Sequence, residues 1–82
     1  MSLSDEFDAA VARVNRLAVA PPSQLLLELY GLYKQATGGD VSGARPGMME
    51  FKGRAKYDAW AARKGMSRDE AMRAYIARAG AL

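Results

Sequence analysis

Apolar residues in the first part of the chain recur with the period of an α-helix in two stretches, which a pair of prolines separates. The first stretch predicts a helix from Leu3 to Ala18, with acidic residues in its first turns, where they favour the positive end of the helix dipole. The second predicts a helix that is capped by Ser23 and ends near Thr37. Its inward-facing arc consists of Leu25, Leu29, Leu32 and Ala36.

The same period returns in the second part of the chain, after a stretch rich in glycine. Residues 38–48 contain four glycines and one proline, and predict a loop without regular structure. A third helix is expected from Met49 to about Lys64, where Gly65 stops it. Ser67 and Glu70 have the spacing of a capping box, which predicts the start of a fourth helix. The inward positions of that helix are Ala71, Met72, Tyr75, Ile76 and Ala79.

The sequence therefore predicts an all-α protein, a four-helix up-down bundle formed by a single domain of residues 1–82. The chain has neither cysteine nor histidine, which excludes disulfides, thiolate or imidazole metal sites, and catalysis of the Ser-His or Cys-His type. Every apolar run is far shorter than the roughly 20 residues that span a bilayer, so stable membrane insertion is not expected. We expect a cytoplasmic protein.

Positive charge is concentrated in the later part of the chain. Residues 29–82 carry ten basic and five acidic residues, whereas residues 1–28 carry two and four. On the predicted third helix, Lys52, Lys56 and Arg63 fall within one narrow arc that apolar residues flank. Such a stripe suits a ligand with an anionic head and an apolar body, although a lysine pair at this spacing is more often a solvated helix face. Two of the flanking residues, Phe51 and Trp60, are expected in the core.

A second set of candidate binding residues lies on the predicted second helix. Tyr30 and Lys34 are four residues apart there, as Lys52 and Lys56 are on the third helix. If the two faces meet, cations and a phenol surround one phosphate, which convergent lysines and hydroxyl donors hold well. The residues alone leave open whether the faces meet.

Three ordered motifs resemble those of the acyl-CoA-binding protein family. They are YGLYKQATGGD at residues 30–40, RPGM at residues 45–48 and FKGRAKYDAW at residues 51–60. The resemblance covers Phe7 to about Ala79, with family-like order and spacing. It implies reversible binding, transport and buffering of medium- to long-chain acyl-CoA esters, without catalysis, metal or cofactor. It also implies a monomer that serves enzymes using acyl-CoA.

The resemblance further implies roles for single residues. Tyr30, Lys34 and Lys56 match residues that hold the 3′-phosphate and adenosine end of coenzyme A, and Tyr33 and Tyr75 match ligand-contacting tyrosines. The residues that match positions along the acyl chain are Phe7, Ala10, Val11, Leu26 and Leu27.

The chain also departs from the family pattern on its first helix and just beyond it. Asn15 stands where relatives usually have a lysine that faces the ligand, and Ala20 replaces another frequent lysine. Fewer cations imply a weaker hold on the coenzyme or a different ligand preference.

Three other functions fit parts of the sequence. A basic segment with helix, turn and helix across Tyr57 to Ala79 resembles a helix-turn-helix nucleic-acid-binding module, but Asp69 and Glu70 would place acids at the start of the recognition helix. An enzyme acting on acyl thioesters is a second alternative, but the chain lacks the histidine, cysteine or paired carboxylates that would catalyse the reaction. An interaction domain is the third alternative. We therefore expect acyl-CoA, and not nucleic acid, as the ligand.

Overall fold

The computed structural model describes residues 1–82 and contains four helices and no strand. The helices are α1 (Leu3–Asn15), α2 (Ser23–Gly38), α3 (Phe51–Ala61) and α4 (Arg68–Gly80). The prediction of an all-α four-helix bundle is confirmed. None of the four helices combines the length and apolar character needed to cross a bilayer.

Two helices end three residues earlier than the sequence predicts, because their last turns tighten. After α1, the Arg16 N–H donates to the carbonyl of Arg13 and the Leu17 N–H to that of Val14, bonds that span three residues rather than four. After α3, the N–H groups of Arg63, Lys64 and Met66 make bonds of the same kind. The chain then turns at Gly65, whose φ of +95° suits glycine.

The caps of α2 and α4 differ from each other in kind. Ser67 accepts from the Glu70 N–H, and the Glu70 carboxylate accepts from the Ser67 N–H, so the predicted capping box is formed at α4. The prediction that Ser23 caps α2 is wrong, because Pro22 takes the cap position and Ser23 is already the first helical residue.

The helices pack in the lateral order α1, α4, α2, α3, which is not their order in the chain. Two fully buried alanines of α4, Ala71 and Ala79, allow its neighbours to come close. The Arg13 guanidinium on α1 donates to the carbonyl of Ala79, at the end of α4. No Cα atom of α1 lies within 8 Å of α2, so a gap separates these two helices above α4.

A fully buried glutamine, Gln35, joins the end of α2 to the segment before α4. Its Nε2 donates to the Met66 carbonyl at 2.8 Å and to Asp40 Oδ1 at 2.7 Å. The Gly65 N–H donates to the same Oδ1 at 2.9 Å. This bond from Gly65, with that from Gln35, holds the pKa of the Asp40 carboxyl below its ordinary value.

The loop between α2 and α3 lacks regular structure, as predicted, and is fastened to α3 by side chains. Trp60 Nε1 donates to the Gly39 carbonyl at 2.8 Å, and the Tyr57 hydroxyl to the Gly43 carbonyl at 3.0 Å. The Arg45 guanidinium donates to both oxygens of Asp58, at 2.7 and 2.8 Å. This bidentate pair lowers the pKa of the Asp58 carboxyl.

The closest approach between helices occurs where α2 crosses α3 at Gly31. A Cβ placed on Gly31 would lie 2.3 Å from the carbonyl oxygen of Ala59 and 2.7 Å from its carbonyl carbon. Atoms do not approach so closely, so only glycine permits this separation. Glycine destabilises the interior of a helix by about 1 kcal/mol relative to alanine. In return, its missing side chain lets the two helices cross at this short distance.

Gly31→Ala should lower the free energy of unfolding by about 1 to 3 kcal/mol, because the overlap with α3 outweighs the gain in helix propensity. The matched control is Gly53→Ala on α3, where the nearest atom to an added Cβ, on Pro46, is 3.6 Å away. That variant should keep or gain up to about 1 kcal/mol. Urea unfolding followed by circular dichroism measures both. An increase in stability for Gly31→Ala would contradict the close crossing.

Candidate functional site

An open cleft of about 250 Å³ lies in the gap between α1 and α2. Tyr75 of α4 contributes to it from below the gap, and Asn15 is its one polar amide. The residues that line this apolar cleft are Val11, Val14, Asn15, Leu26, Leu29, Tyr30, Tyr33 and Tyr75. A lining of this composition suits a hydrocarbon chain.

Three aromatic rings support the apolar cleft. Phe7 is only 3% exposed; its ring lies edge-on to Tyr75 at 5.2 Å between centroids and stacks on Tyr33 at 6.1 Å. Phe7 therefore holds the two tyrosines in place from beneath. Burial, with a smaller contribution from Tyr33, raises the pKa of Tyr75, so its hydroxyl is a neutral phenol near pH 7.

A second cleft, of about 350 Å³, lies between α2 and α3. The residues that line this basic cleft are Ser23, Leu26, Leu27, Tyr30, Phe51, Lys52, Ala55 and Lys56. Leu26 and Tyr30 also line the apolar cleft. The two clefts are therefore neighbours that share one wall of α2, with cations at one end and apolar side chains at the other.

The lysines of the predicted site have no acidic partners. The only ion pairs are Arg45 with Asp58 and Arg78 with Glu28, so no carboxylate neutralises Lys34, Lys52 or Lys56. Lys56 Nζ lies 5.4 Å from the centre of the Tyr30 ring, and Lys34 Nζ lies 4.8 Å from that of a tryptophan ring on α3. The two helix faces that the sequence left unconnected do meet, and their uncompensated charge suits an anion.

Most of the predicted binding residues line one of the two clefts. Lys34 lines neither; it lies over the Trp60 ring of α3, one helical turn along α2 from Tyr30, which lines both. Ala10 is buried and faces a groove between α1 and α4, together with Arg13 and Arg16. The structure thus puts Asn15 and the two arginines of α1 on different faces of the helix.

Three residues of the predicted basic stripe and its flank lie elsewhere. Phe51 is 74% exposed and lines the basic cleft, so its placement in the core is wrong. It is the first residue of α3, eight residues before the crossing at Ala59, and α3 packs on α2 alone. Arg63 lies beyond the end of α3, so the stripe consists of two lysines. Trp60 is half-buried beside the loop and is not a core residue.

Sequence reasoning missed two wall residues of the apolar cleft and one positioning residue. Val14 and Leu29 line the apolar cleft, but helical periodicity marks both only as inward-facing apolar residues and does not separate a cleft wall from a core. Gly31 had a signal, because a glycine inside a helix often marks a close approach.

The packing of α3 and α4 excludes the helix-turn-helix interpretation. The two helices make no backbone contact with each other, since each packs on α2. A helix-turn-helix needs its two helices to pack together across a short turn.

Known proteins share the sequence pattern and the fold of this chain. The sequence model described as Acyl CoA binding protein matches residues 4–79. The chain belongs to this family. It is 47% identical to an acyl-CoA-binding protein homolog of Manduca sexta, over all of this chain and 92% of that protein. With an acyl-CoA-binding protein of Brassica napus it shares 51% identity over 93% of this chain and 83% of the other. The crystal structure of Oryza sativa Acyl-CoA-Binding Protein 2 superposes with a TM-score of 0.94 at 42% identity, covering 99% of this chain and 90% of that one.

Proposed function

We propose that this chain binds fatty acyl-CoA reversibly and does no chemistry on it. The observation that carries the proposal is the continuity of the basic cleft with the apolar cleft across Leu26 and Tyr30. Acyl-CoA has phosphates at one end and a hydrocarbon chain at the other, so one ligand matches both clefts. Membership of a family of binding proteins supports the same function.

The coenzyme head belongs at the face that α2 and α3 form together. Lys34, Lys52 and Lys56 supply ammonium groups without acidic partners, and Tyr30 supplies a phenol. A phosphomonoester carries roughly −1.5 to −2 charges near neutral pH, so each direct lysine contact adds a charge-assisted hydrogen bond. We assign the 3′-phosphate to Tyr30, Lys34 and Lys56, with Lys52 beside them.

The acyl chain belongs in the apolar cleft. Val11, Tyr33 and Tyr75 line this cleft, Leu26 joins it to the basic cleft, and each CH₂ group of a chain buried there contributes about 0.8 kcal/mol. The remaining residues assigned to the chain are Phe7, Ala10 and Leu27. Phe7 would act through the tyrosines that it supports.

Binding without catalysis fits the lining of the two clefts, which contains no carboxylate. A carrier of this kind would keep the thioester in a reversible pool and deliver it to enzymes that use acyl-CoA. A single domain acting as a monomer, and a cytoplasmic location, remain predictions of the sequence.

Titration calorimetry with three ligands tests the proposal. Palmitoyl-CoA should bind one to one, and palmitate should bind far more weakly, because it lacks the phosphates. Equal affinity for palmitoyl-CoA and palmitate would mean that the basic cleft does not contribute to binding. Tight, salt-dependent binding of duplex DNA, the third ligand, would instead favour a nucleic-acid function.

Lys34→Ala and Lys56→Ala should each weaken palmitoyl-CoA binding about tenfold or more, because a charge-assisted contact is worth about 1.5 to 3 kcal/mol. The helical circular dichroism should not change. The same substitutions should cost much less with 3′-dephospho-palmitoyl-CoA. If the substitutions lower the affinity for both ligands by the same factor, these lysines do not hold the 3′-phosphate.

Asn15→Lys should tighten palmitoyl-CoA binding by at most about fivefold at low salt, since it adds a partly exposed ion pair worth up to about 1 kcal/mol beside the apolar cleft. The gain should fade as the salt concentration rises to about 1 M, where the Debye length is about 3 Å. Arg16→Ala, on the other face of α1, is the control and should change little. No gain for Asn15→Lys with a large loss for Arg16→Ala would mean that the ligand docks elsewhere.

A further inference from the structure

The ring of Trp60 is held rigidly beside the proposed phosphate site. Its Nε1 donates to the Gly39 carbonyl at 2.8 Å, and Gly39 has a φ of +77°. An added Cβ on Gly38 would lie 3.8 Å from the ring, at van der Waals distance. Because Trp60 directly follows Ala59, the close crossing with α2 also fixes its backbone. The ring therefore has one defined position against the end of α2.

Lys34 of α2 lies over this ring, with its Nζ 4.8 Å from the ring centre. That distance is within the range of a cation–π interaction, which is strongest for tryptophan. A free lysine side chain loses rotamer entropy when it is fixed. The ring therefore orders Lys34 in part before any ligand binds.

The ring also differs from the usual partner of a lysine. A carboxylate would order Lys34 but would neutralise its charge and compete with an incoming anion. No carboxylate pairs with Lys34, and the ring faces it with no net charge. An aromatic partner can thus fix the position of the ammonium group and leave its full charge available to a phosphate.

We propose that Trp60 is a positioning residue for Lys34, which it holds in place for the phosphate of a 3′-phosphonucleotide ligand. The inference rests on the proposed function, in which Lys34 binds the 3′-phosphate of acyl-CoA. Trp60 itself touches Lys34 and the loop, and need not touch the ligand. Its substitution acts on binding through the lysine.

The first test reads Lys34 in the free protein and needs no ligand. Protons next to Nζ of Lys34 lie over the face of an indole, so its ring current should shift their NMR signals upfield. Trp60→Leu should return them to the values of a solvated lysine, and Trp60→Phe should keep part of the shift. The matched control is Tyr57→Leu, because Tyr57 is also an α3 ring that donates to a loop carbonyl but has no lysine over it. Unshifted Lys34 signals in the unsubstituted protein would overturn the proposal.

The second test is a double-mutant cycle measured by calorimetry with adenosine 3′,5′-bisphosphate and with palmitoyl-CoA. Trp60→Leu should weaken binding about two- to fivefold, the range of an exposed cation–π interaction. The loss should vanish in the Lys34→Met background, and Tyr57→Leu should not reproduce it. An equal loss with and without the Lys34 ammonium would overturn the positioning role. If neither ligand binds, the proposed function is overturned. The NMR shift would still report on the position of Lys34.

Discussion

The backbones of α2 and α3 meet where Gly31 faces the carbonyl of Ala59, and the proposed phosphate site depends on this contact. On each side of it, a lysine of one helix lies over an aromatic ring of the other: Lys56 from α3 and Lys34 from α2. A cation–π contact extends to about 6 Å, and the observed distances are 5.4 and 4.8 Å. Even one methyl group at the crossing would move the helices apart enough to weaken both contacts. A residue with no side chain thus determines where two charges lie.

The apolar cleft depends on a different relation between helices, because α1 never packs against α2. Both rest on α4, whose small residues Ala71 and Ala79 bring its neighbours close to it while they stay apart from each other. Phe7 reaches across beneath the gap and touches one tyrosine on each of the two other helices. The gap therefore has a rigid base and an open top, which allows an elongated apolar ligand to enter without rearrangement of the core.

Local patterns predicted the helices well, since periodicity and caps such as Ser67 act within a few residues. They also predicted Lys52 and Lys56 as neighbours on one helix face. The exposure of Phe51 could not be read in this way, because an apolar arc does not say which part of it another helix covers. Periodicity likewise could not show that Lys34 and Lys56 face the same space; that expectation came from the family resemblance. The contact of Trp60 with Lys34 depends on how α2 crosses α3, so no pattern of neighbouring residues could predict it.

Besides the bonds of Asp40 to Gln35 and Gly65, three side-chain contacts attach the loop before α3 to α3 itself. They are Trp60 with Gly39, Tyr57 with Gly43 and Asp58 with Arg45. Loop and helix therefore form one cooperative unit for local unfolding, and α3 touches no helix but α2. When this unit opens, the amide hydrogens of α3 become free to exchange together, while α1, α4 and α2 keep their mutual packing. The proposed phosphate half of the binding surface can then disassemble and re-form while the half proposed for the hydrocarbon stays intact.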